Sequence, residues 1–343
     1  MVRGLTMKDI AEKAGVSVAT VSRVLNNSKP VSKELRERVL KVVKETGYKP
    51  NALARSLIKQ RTGTIGVIIP DMDNETFADL IKGIELIMDE NDYVILVTNT
   101  MGQVDKEIEM FHLFEEKRLD GIIFSGVSLT DEHKEYFEKY KIPTVIVGQK
   151  FKELKFPSVT IDNFQAAFDM TQYLIDLGHE KIGMIRGPMY DRQAGKERVM
   201  GYKTALREND LEIKDEYIKQ GDFTIESGYK AMEEIWDNEI KPTAVFSASD
   251  KMAIGALNCC LDLGLKVPDD ISIAGFDDME LATAVRPALT TIHQDQVQKG
   301  IKTAEILLDI LEKEEEETYN VQLPYTLIER DSTCEIKPKQ KTG

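Results

Sequence analysis

A planar guanidinium at Arg23 lies close in sequence to the short hydroxyls of Ser17, Thr20 and Ser22 and the small apolar groups of Val18 and Ala19. Such a fork can grip guanine O6 and N7 together, whereas Val18 and Ala19 can offer only apolar contact, as to a thymine methyl. Thr6, Ser17, Thr20, Ser22 and Asn26 are short donors suited to phosphate oxygens, contacts that fix register without reading bases. Together these residue types make a surface that can read the edge of a nucleic-acid groove.

Two short helices must carry them. Ile10, Ala11 and Ala14, then Val21, Val24 and Leu25, recur at helical spacing and predict two amphipathic helices that share one buried face. Gly15 separates them. Thr6 with Asp9 has capping-box spacing for the first helix, and Ser17 is an N-cap for the second. The pattern is a helix-turn-helix. Ser32 is placed to cap a third helix carrying Leu35, Val39, Val42 and Val43, and Gly47 sits where a left-handed residue ends it.

The charge distribution agrees. Residues 1–61 hold 14 Lys and Arg against 5 Asp and Glu, a net of +9, and the remainder carries −23, so the overall −14 conceals a basic end on an acidic body. A basic module neutralises phosphates, and an acidic body limits non-specific association. After the third helix comes Tyr48-Lys49-Pro50-Asn51-Ala52-Leu53-Ala54-Arg55-Ser56-Leu57, in which Pro50 and Asn51 can start a helix of about two turns, too short to be stable alone. This segment is expected to act as a hinge.

With the Thr20-Val21-Ser22-Arg23-Val24-Leu25-Asn26 run and the hinge in view, the chain resembles the lactose-repressor (LacI/GalR) family of bacterial transcription regulators over residues 6–332. The resemblance implies that the second helix enters the major groove of a pseudopalindromic operator. It also implies that paired hinge helices, through Asn51, Ala54, Arg55 and Leu57, enter the minor groove, with Leu57 wedging the central base step apart.

Beyond the hinge, apolar runs at 65–69, 93–97, 121–124, 144–147, 158–161, 181–185, 244–247 and 271–274 alternate with helical segments. Val- and Ile-rich runs of this kind predict parallel sheets covered on both faces, an α/β body of two doubly wound lobes. The resemblance adds a periplasmic-binding-protein-like connectivity. It divides the chain into a headpiece (1–49), a hinge and linker (50–61), a body (62–332) and a polar tail (333–343). Within the body, the N-terminal lobe is expected to comprise 62–161 with 291–319, and the C-terminal lobe 162–290 with 320–332.

Ligands bind such sheets beyond the carboxyl ends of the strands, in the cleft between lobes. The resemblance places Arg198 and Asp277 there, with Phe223 stacking on the ligand, Phe77 lining the opposite lobe, and Asp162 and Ser249 nearby. An arginine fork and carboxylates can bracket adjacent hydroxyls while an aromatic ring covers an apolar face, which suits a sugar or sugar derivative; Arg198 equally suits a phosphate or carboxylate. The same residues also suit plainer roles, Phe77 and Phe223 as core, Asp277 and Asp250 as helix N-caps. A catabolite-control-type regulator, whose effector is a phosphorylated carrier protein, is the second reading. The helix at 296–311 lacks the arginine expected to receive that phosphate.

No enzyme is expected. The four histidines, His112, His133, His179 and His293, form no metal-binding spacing, and neither a Gly-x-Ser-x-Gly elbow nor a phosphate-binding Gly-x-x-x-x-Gly-Lys loop is present. No cofactor or metal is called for. Cys259, Cys260 and Cys334 are an odd set suited to a reducing compartment, and with neither a leader nor a long apolar stretch the expectation is a cytoplasmic protein. The acidic run 312–317 is expected to be solvated, and the tail lacks leucine heptads, which predicts a dimer.

Overall fold

Thr6 starts the first helix as its spacing with Asp9 predicts: the Asp9 amide donates to Thr6 Oγ1 at 3.4 Å and the Thr6 amide to Asp9 Oδ2 at 2.7 Å. The computed structural model describes residues 5–26, 30–48, 61–149, 156–313 and 320–336. It divides into two units, Met1–Gly63 and Thr64–Gly343. The first unit holds α1 (Met7–Ala14), α2 (Val18–Asn26) and α3 (Lys33–Thr46). Gly15 ends α1 at φ 63°, a conformation that costs a residue with a Cβ. Ser17 Oγ caps α2 by accepting from the Thr20 amide at 3.1 Å. Ser32 occupies the N-cap of α3 but makes no side-chain cap bond, contrary to expectation, while Gly47 ends α3 at φ 62° as expected. Ile10, Val21, Val24, Val39 and Tyr48 form the core, and Arg38 of α3 donates to the Ala14 carbonyl at 2.7 Å, tying the turn to the third helix.

In the second unit, β1 (Thr64–Ile69), β2 (Val94–Asn99), β3 (Gly121–Phe124), β4 (Thr144–Val147) and β5 (Ser158–Thr160) join β11 (Asn320–Gln322) in a parallel six-stranded sheet of order β11-β5-β4-β3-β1-β2. Val67 and Ile69 face α4 (Glu75–Glu90) and α12 (Gln296–Lys313); Ile68 faces α5 (Val104–Glu116) and α6 (Asp131–Lys139). Both faces are therefore covered, and this explains the unbroken apolar strands. The second lobe has β6 (Ile182–Arg186), β7 (Ile218–Gln220), β8 (Ala244–Ser247) and β9 (Ser272–Ala274) in the order β7-β6-β8-β9. It is packed with α7 (Asn163–Asp176), α8 (Arg198–Glu208), α9 (Ile225–Trp236), α10 (Asp250–Asp262) and the short α11 (Glu280–Ala284).

The crossings between lobes fall slightly later than expected. β10 (Thr291–His293) pairs antiparallel with β12 (Thr326–Ile328), and the Asp277 amide donates to the Ile292 carbonyl at 2.9 Å, so 291–293 stays with the second lobe. β11 pairs with β5, with Ser158 Oγ donating to Asn320 Oδ1 at 2.8 Å, so 320–322 belongs to the first. Short strands with polar residues lack the apolar run that marks the others. Nor does the body end at residue 332: Thr333 is buried, and the Cys334 amide donates to Ser272 Oγ at 3.1 Å.

Helices pair by backbone approach. On α4, a Cβ added at Gly83 would lie 2.0 Å from the Val297 carbonyl oxygen of α12, and one at Gly300 would lie 2.1 Å from the Leu80 carbonyl oxygen. This mutual fit presses α12 onto the sheet and buries Lys299 beside the cleft. Among the described residues, no helix is long and apolar enough to cross a membrane.

Candidate functional site

On the first unit, the groove-reading residues occupy the start and outer side of α2. Ser17, Val18, Ala19 and Arg23 are exposed, Thr20 and Ser22 half-buried, and Thr6 is exposed at the start of α1. Val18 keeps 45% of its surface in water, unusual for the first residue of a helix whose other valines are buried. Ser17 and Thr20 hydroxyls also meet at 2.9 Å, so the cap itself holds both at the helix start. Asn26 lies in α2 but its side chain, together with Asn51, Ala54, Arg55 and Leu57, falls outside the described residues.

In the body, Phe77, Arg198, Phe223 and Asp277 come together around one cavity of about 490 Å³ between the lobes. Each arrives by a distinct local device. Arg198 begins α8 directly after a π-helical turn, Arg192–Glu197, whose start is capped by Asp191. Its Nε donates to Asn163 Oδ1 at 2.9 Å, its Nη1 to the Ala248 carbonyl at 2.5 Å, and its guanidinium lies 3.5 Å from the centre of the Phe276 ring. The arginine is thus locked, with Nη2 3.8 Å from Asp277 Oδ1. Phe223 sits at φ 69° with its ring over Gly187, where a Cβ would meet it at 2.8 Å. Asp277 and Asp278 have φ of 114° and 56°, consecutive left-handed backbone in non-glycine residues. Strain of this kind concentrates at functional sites.

Asp277 ends in a hydrogen-bonded chain that crosses the lobes. Gln294 Nε2 donates to Asp277 Oδ1 at 2.6 Å, and Lys299 Nζ of α12 donates to Gln294 Oε1 at 2.7 Å. Burial raises the Asp277 carboxyl above its ordinary value, against the lowering pull of Arg198, and lowers the Lys299 ammonium to about 8 against the raising pull of Asp277. Behind this chain lies Asp250, which accepts from Thr291 Oγ1 at 2.6 Å and from the Met279 amide at 2.8 Å; burial pushes its carboxyl well above the usual range.

Two expected residues stand apart. Asp162 caps α7, accepting from the Gln165 amide at 2.9 Å, and lines an adjoining cavity of about 810 Å³ with Thr130, Tyr190 and Lys196. Ser249 caps α10 through the Met252 amide at 3.3 Å and lines neither cavity. Asn163, Gln294 and Lys299 were missed by sequence reasoning. A signal existed for Lys299: it shares a helix face with Thr303 and Leu307, an apolar stripe in which a lysine has no reason to sit.

Comparison with known proteins agrees with both units. Residues 6–51 match the family model of bacterial regulatory proteins of the lacI family, and residues 171–333 match a periplasmic binding protein-like domain. Catabolite control protein A of Priestia megaterium is 41% identical over 329 residues, 96% of this chain and 99% of that protein. The transcriptional repressor CytR of Escherichia coli strain K12 is 39% identical over 329 residues, covering 96% of each. A lac repressor dimer bound to operator and the anti-inducer ONPF matches with a TM-score of 0.88 at 27% identity, over 97% of this chain and all of that one. The chain belongs to the lacI family of bacterial regulatory proteins and is a DNA-binding transcriptional regulator.

Proposed function

We propose that this regulator is a repressor that grips a pseudopalindromic operator as a homodimer and is released or tightened by a small metabolite bound in the interlobe cavity. The observation that carries the reading is the convergence of Arg198, Asp277 and Phe223 from one lobe with Phe77 from the other on a single cavity. Donor, acceptor and ring are what a sugar or sugar derivative needs for adjacent hydroxyls and an apolar face. Arg23, Val18 and Ala19 read base edges; Thr6, Ser17, Thr20, Ser22 and Asn26 hold phosphates. Asn51, Ala54, Arg55 and Leu57 act from the hinge in the minor groove. Asp162 and Ser249 serve the effector site through the helices they cap. Val94, 68% exposed, and Leu96, 41% exposed, lie on the edge strand β2 and support a dimer contact, since exposed apolar patches mark association surfaces.

The mechanism is a coupling free energy. An effector that favours one arrangement of the lobes shifts operator affinity by about 1–3 kcal/mol, and the operator shifts effector affinity equally. Fluorescence anisotropy of a labelled palindromic duplex, titrated with and without candidate sugars, tests this on the full chain. Operator affinity that no sugar or sugar derivative alters, in a chain that binds the operator, overturns the proposal.

A second reading is favoured by the 41% identity to catabolite control protein A: a phosphorylated carrier protein acts as corepressor. Against it, α12 contains no arginine to take the phosphate. A pull-down with phosphorylated and unphosphorylated carrier separates the two, since selective capture of the phosphorylated form supports the second. The protein acts in the bacterial cytoplasm under either reading.

A further inference from the structure

Lys299 is 5% exposed and lines the interlobe cavity, yet its ammonium has one hydrogen-bond acceptor, the Gln294 side chain. An ammonium has three protons to donate, so among the described residues two remain without a protein acceptor in a place where water is largely excluded. A buried cation of this kind is expensive unless something pairs with it.

The nearby charges do not supply the partner. Arg198 and Lys299 line the cavity with Asp71, Asp73, Asp191, Asp222 and Asp277, yet among the described residues no carboxylate is in ion-pair contact with the Lys299 ammonium, whose hydrogen bond goes to Gln294. Asp277 already accepts from Gln294 and faces Arg198. Asp250, behind the floor, is drawn toward its neutral acid. Asp295, one residue beyond Gln294, caps α12 through the Gln298 amide at 2.8 Å. Asp191 and Asp222, on the cavity wall, turn to their own backbone, accepting from the Ala194 amide at 2.8 Å and from the Thr224 amide at 3.1 Å. Asp71 accepts from the Asp73 amide at 2.9 Å in the loop after β1.

We infer that Lys299 selects an effector that carries an oxyanion, a phosphate or a carboxylate, by donating to it from the floor of the cavity. Lys299 supplies an ammonium that no carboxylate contacts, Arg198 lines the same cavity, and charge-assisted hydrogen bonds are the strong ones. Burial lowers the Lys299 ammonium to about 8, which fits a cation that an anionic partner would stabilise. This inference rests on the effector reading of the cavity and narrows it from sugars in general to acidic ones.

The test uses the full chain and calorimetry. The probes are glucose and ribose, glucose 6-phosphate and ribose 5-phosphate, gluconate and ribonate, and inorganic phosphate alone. At least one acid is expected to bind tenfold or more tighter than its neutral parent. Lys299→Met is expected to lose that preference, so that acid and neutral parent bind within twofold of each other. Titrations between pH 8 and 9 in buffers of different ionisation enthalpy are expected to show proton uptake on acid binding by the wild type and none by the variant, a readout that a merely structural lysine does not produce.

A phosphate that binds as its sugar ester but not as the carboxylate assigns the site to phosphates, and the reverse assigns it to sugar acids. A neutral sugar that binds as tightly as its acid, or an unchanged preference in Lys299→Met, overturns the inference and leaves the effector reading standing. If no probe of either kind binds, and none alters operator affinity, the effector reading falls and this inference with it. Should Lys299→Met fail to fold, Lys299→Gln, which keeps a donor without charge, is expected to show the same lost preference.

Discussion

Replacing Lys299 by methionine should make the empty protein more stable near neutral pH. The ammonium is held at about 8 against an ordinary 10.5 because it is buried. That difference corresponds to about 3 kcal/mol of unfavourable free energy below pH 8, where both folded and unfolded chains carry the proton. Methionine has nearly the same length and removes the cost, but it leaves Gln294 Oε1 without its donor, a loss of about 1–2 kcal/mol. The net gain is then about 1–2 kcal/mol, or roughly 3–6 °C in Tm for a unit of this size. The sign follows from proton counting. Between about pH 8 and 10.5 the unfolded wild-type chain holds a proton that the folded chain has lost, so wild-type stability rises with pH across that window and the advantage of the variant shrinks. Urea melts at intervals from pH 6.5 to 10, followed by Trp236 emission and helical circular dichroism, measure this; Trp236 is the chain's single tryptophan. A variant less stable than wild type at pH 7, or a difference that does not narrow on raising the pH, refutes the reasoning.

Arg198→Met should abolish the response of operator binding to effector while leaving basal operator affinity within about twofold, since it removes a donor of the cavity and none of the headpiece; anisotropy titrations read both, and at least a tenfold loss of effector affinity is expected. Gly83→Ala should destabilise the body by about 1–3 kcal/mol, because its Cβ would lie 2.0 Å from the Val297 carbonyl and force α4 and α12 apart. A Tm equal to wild type would contradict the close-approach account. His179 is held below its ordinary 6.5 by burial, so the unfolded chain takes up a proton first and stability is lost as pH falls through about 6.5; His179→Gln should flatten urea midpoints between pH 7 and 5.5. Arg23→Ala should cost about 1–3 kcal/mol of operator binding and relax selectivity at one base pair in each half-site, measured against a panel of single-substituted duplexes.

Sequence alone carried the headpiece almost residue by residue. Caps at Thr6 and Ser17, the break at Gly15 and the left-handed stop at Gly47 are local chemistry, set within three or four residues, and they were legible for that reason. The failure at Ser32 shows the limit, because a serine in the right place need not turn its hydroxyl to the helix. In the body, strands β1, β3, β4 and β8 announce themselves by runs of buried apolar residues. The strands β7, β10, β11 and β12 are three residues long and mix polar with apolar side chains, so their membership is decided by pairing partners far away in the chain. The same holds for the site. Arg198, Asp277, Phe223 and Phe77 could be placed by resemblance, whereas Asn163, Gln294 and Lys299 matter only because distant elements bring them against those four.

The polar contacts between the lobes differ greatly in weight, and that difference bears on how an effector could move them. At the mouth of the cleft Lys251 Nζ donates to the Asp73 carbonyl at 2.9 Å and the Glu280 amide to Glu75 Oε1 at 3.1 Å, both in exposed surroundings. Exposed polar contacts are worth about 0–1 kcal/mol and break readily. On the floor, the chain from Asp277 through Gln294 to Lys299 is buried, and each link there is costly to leave unmade. A ligand that takes protons from Lys299 or lone pairs from Asp277 therefore competes with, or replaces, the interlobe bonds that count. The mouth can then follow. A ligand with equal affinity for both arrangements of the lobes shifts neither. The buried chain from Asp277 to Lys299 is accordingly where an effector gains most of its differential affinity. Removing the mouth contacts with Lys251→Ala should change effector affinity by less than about fivefold, against the tenfold or greater losses expected at Arg198 and, for an acidic effector, Lys299; equal losses at mouth and floor would place the coupling elsewhere.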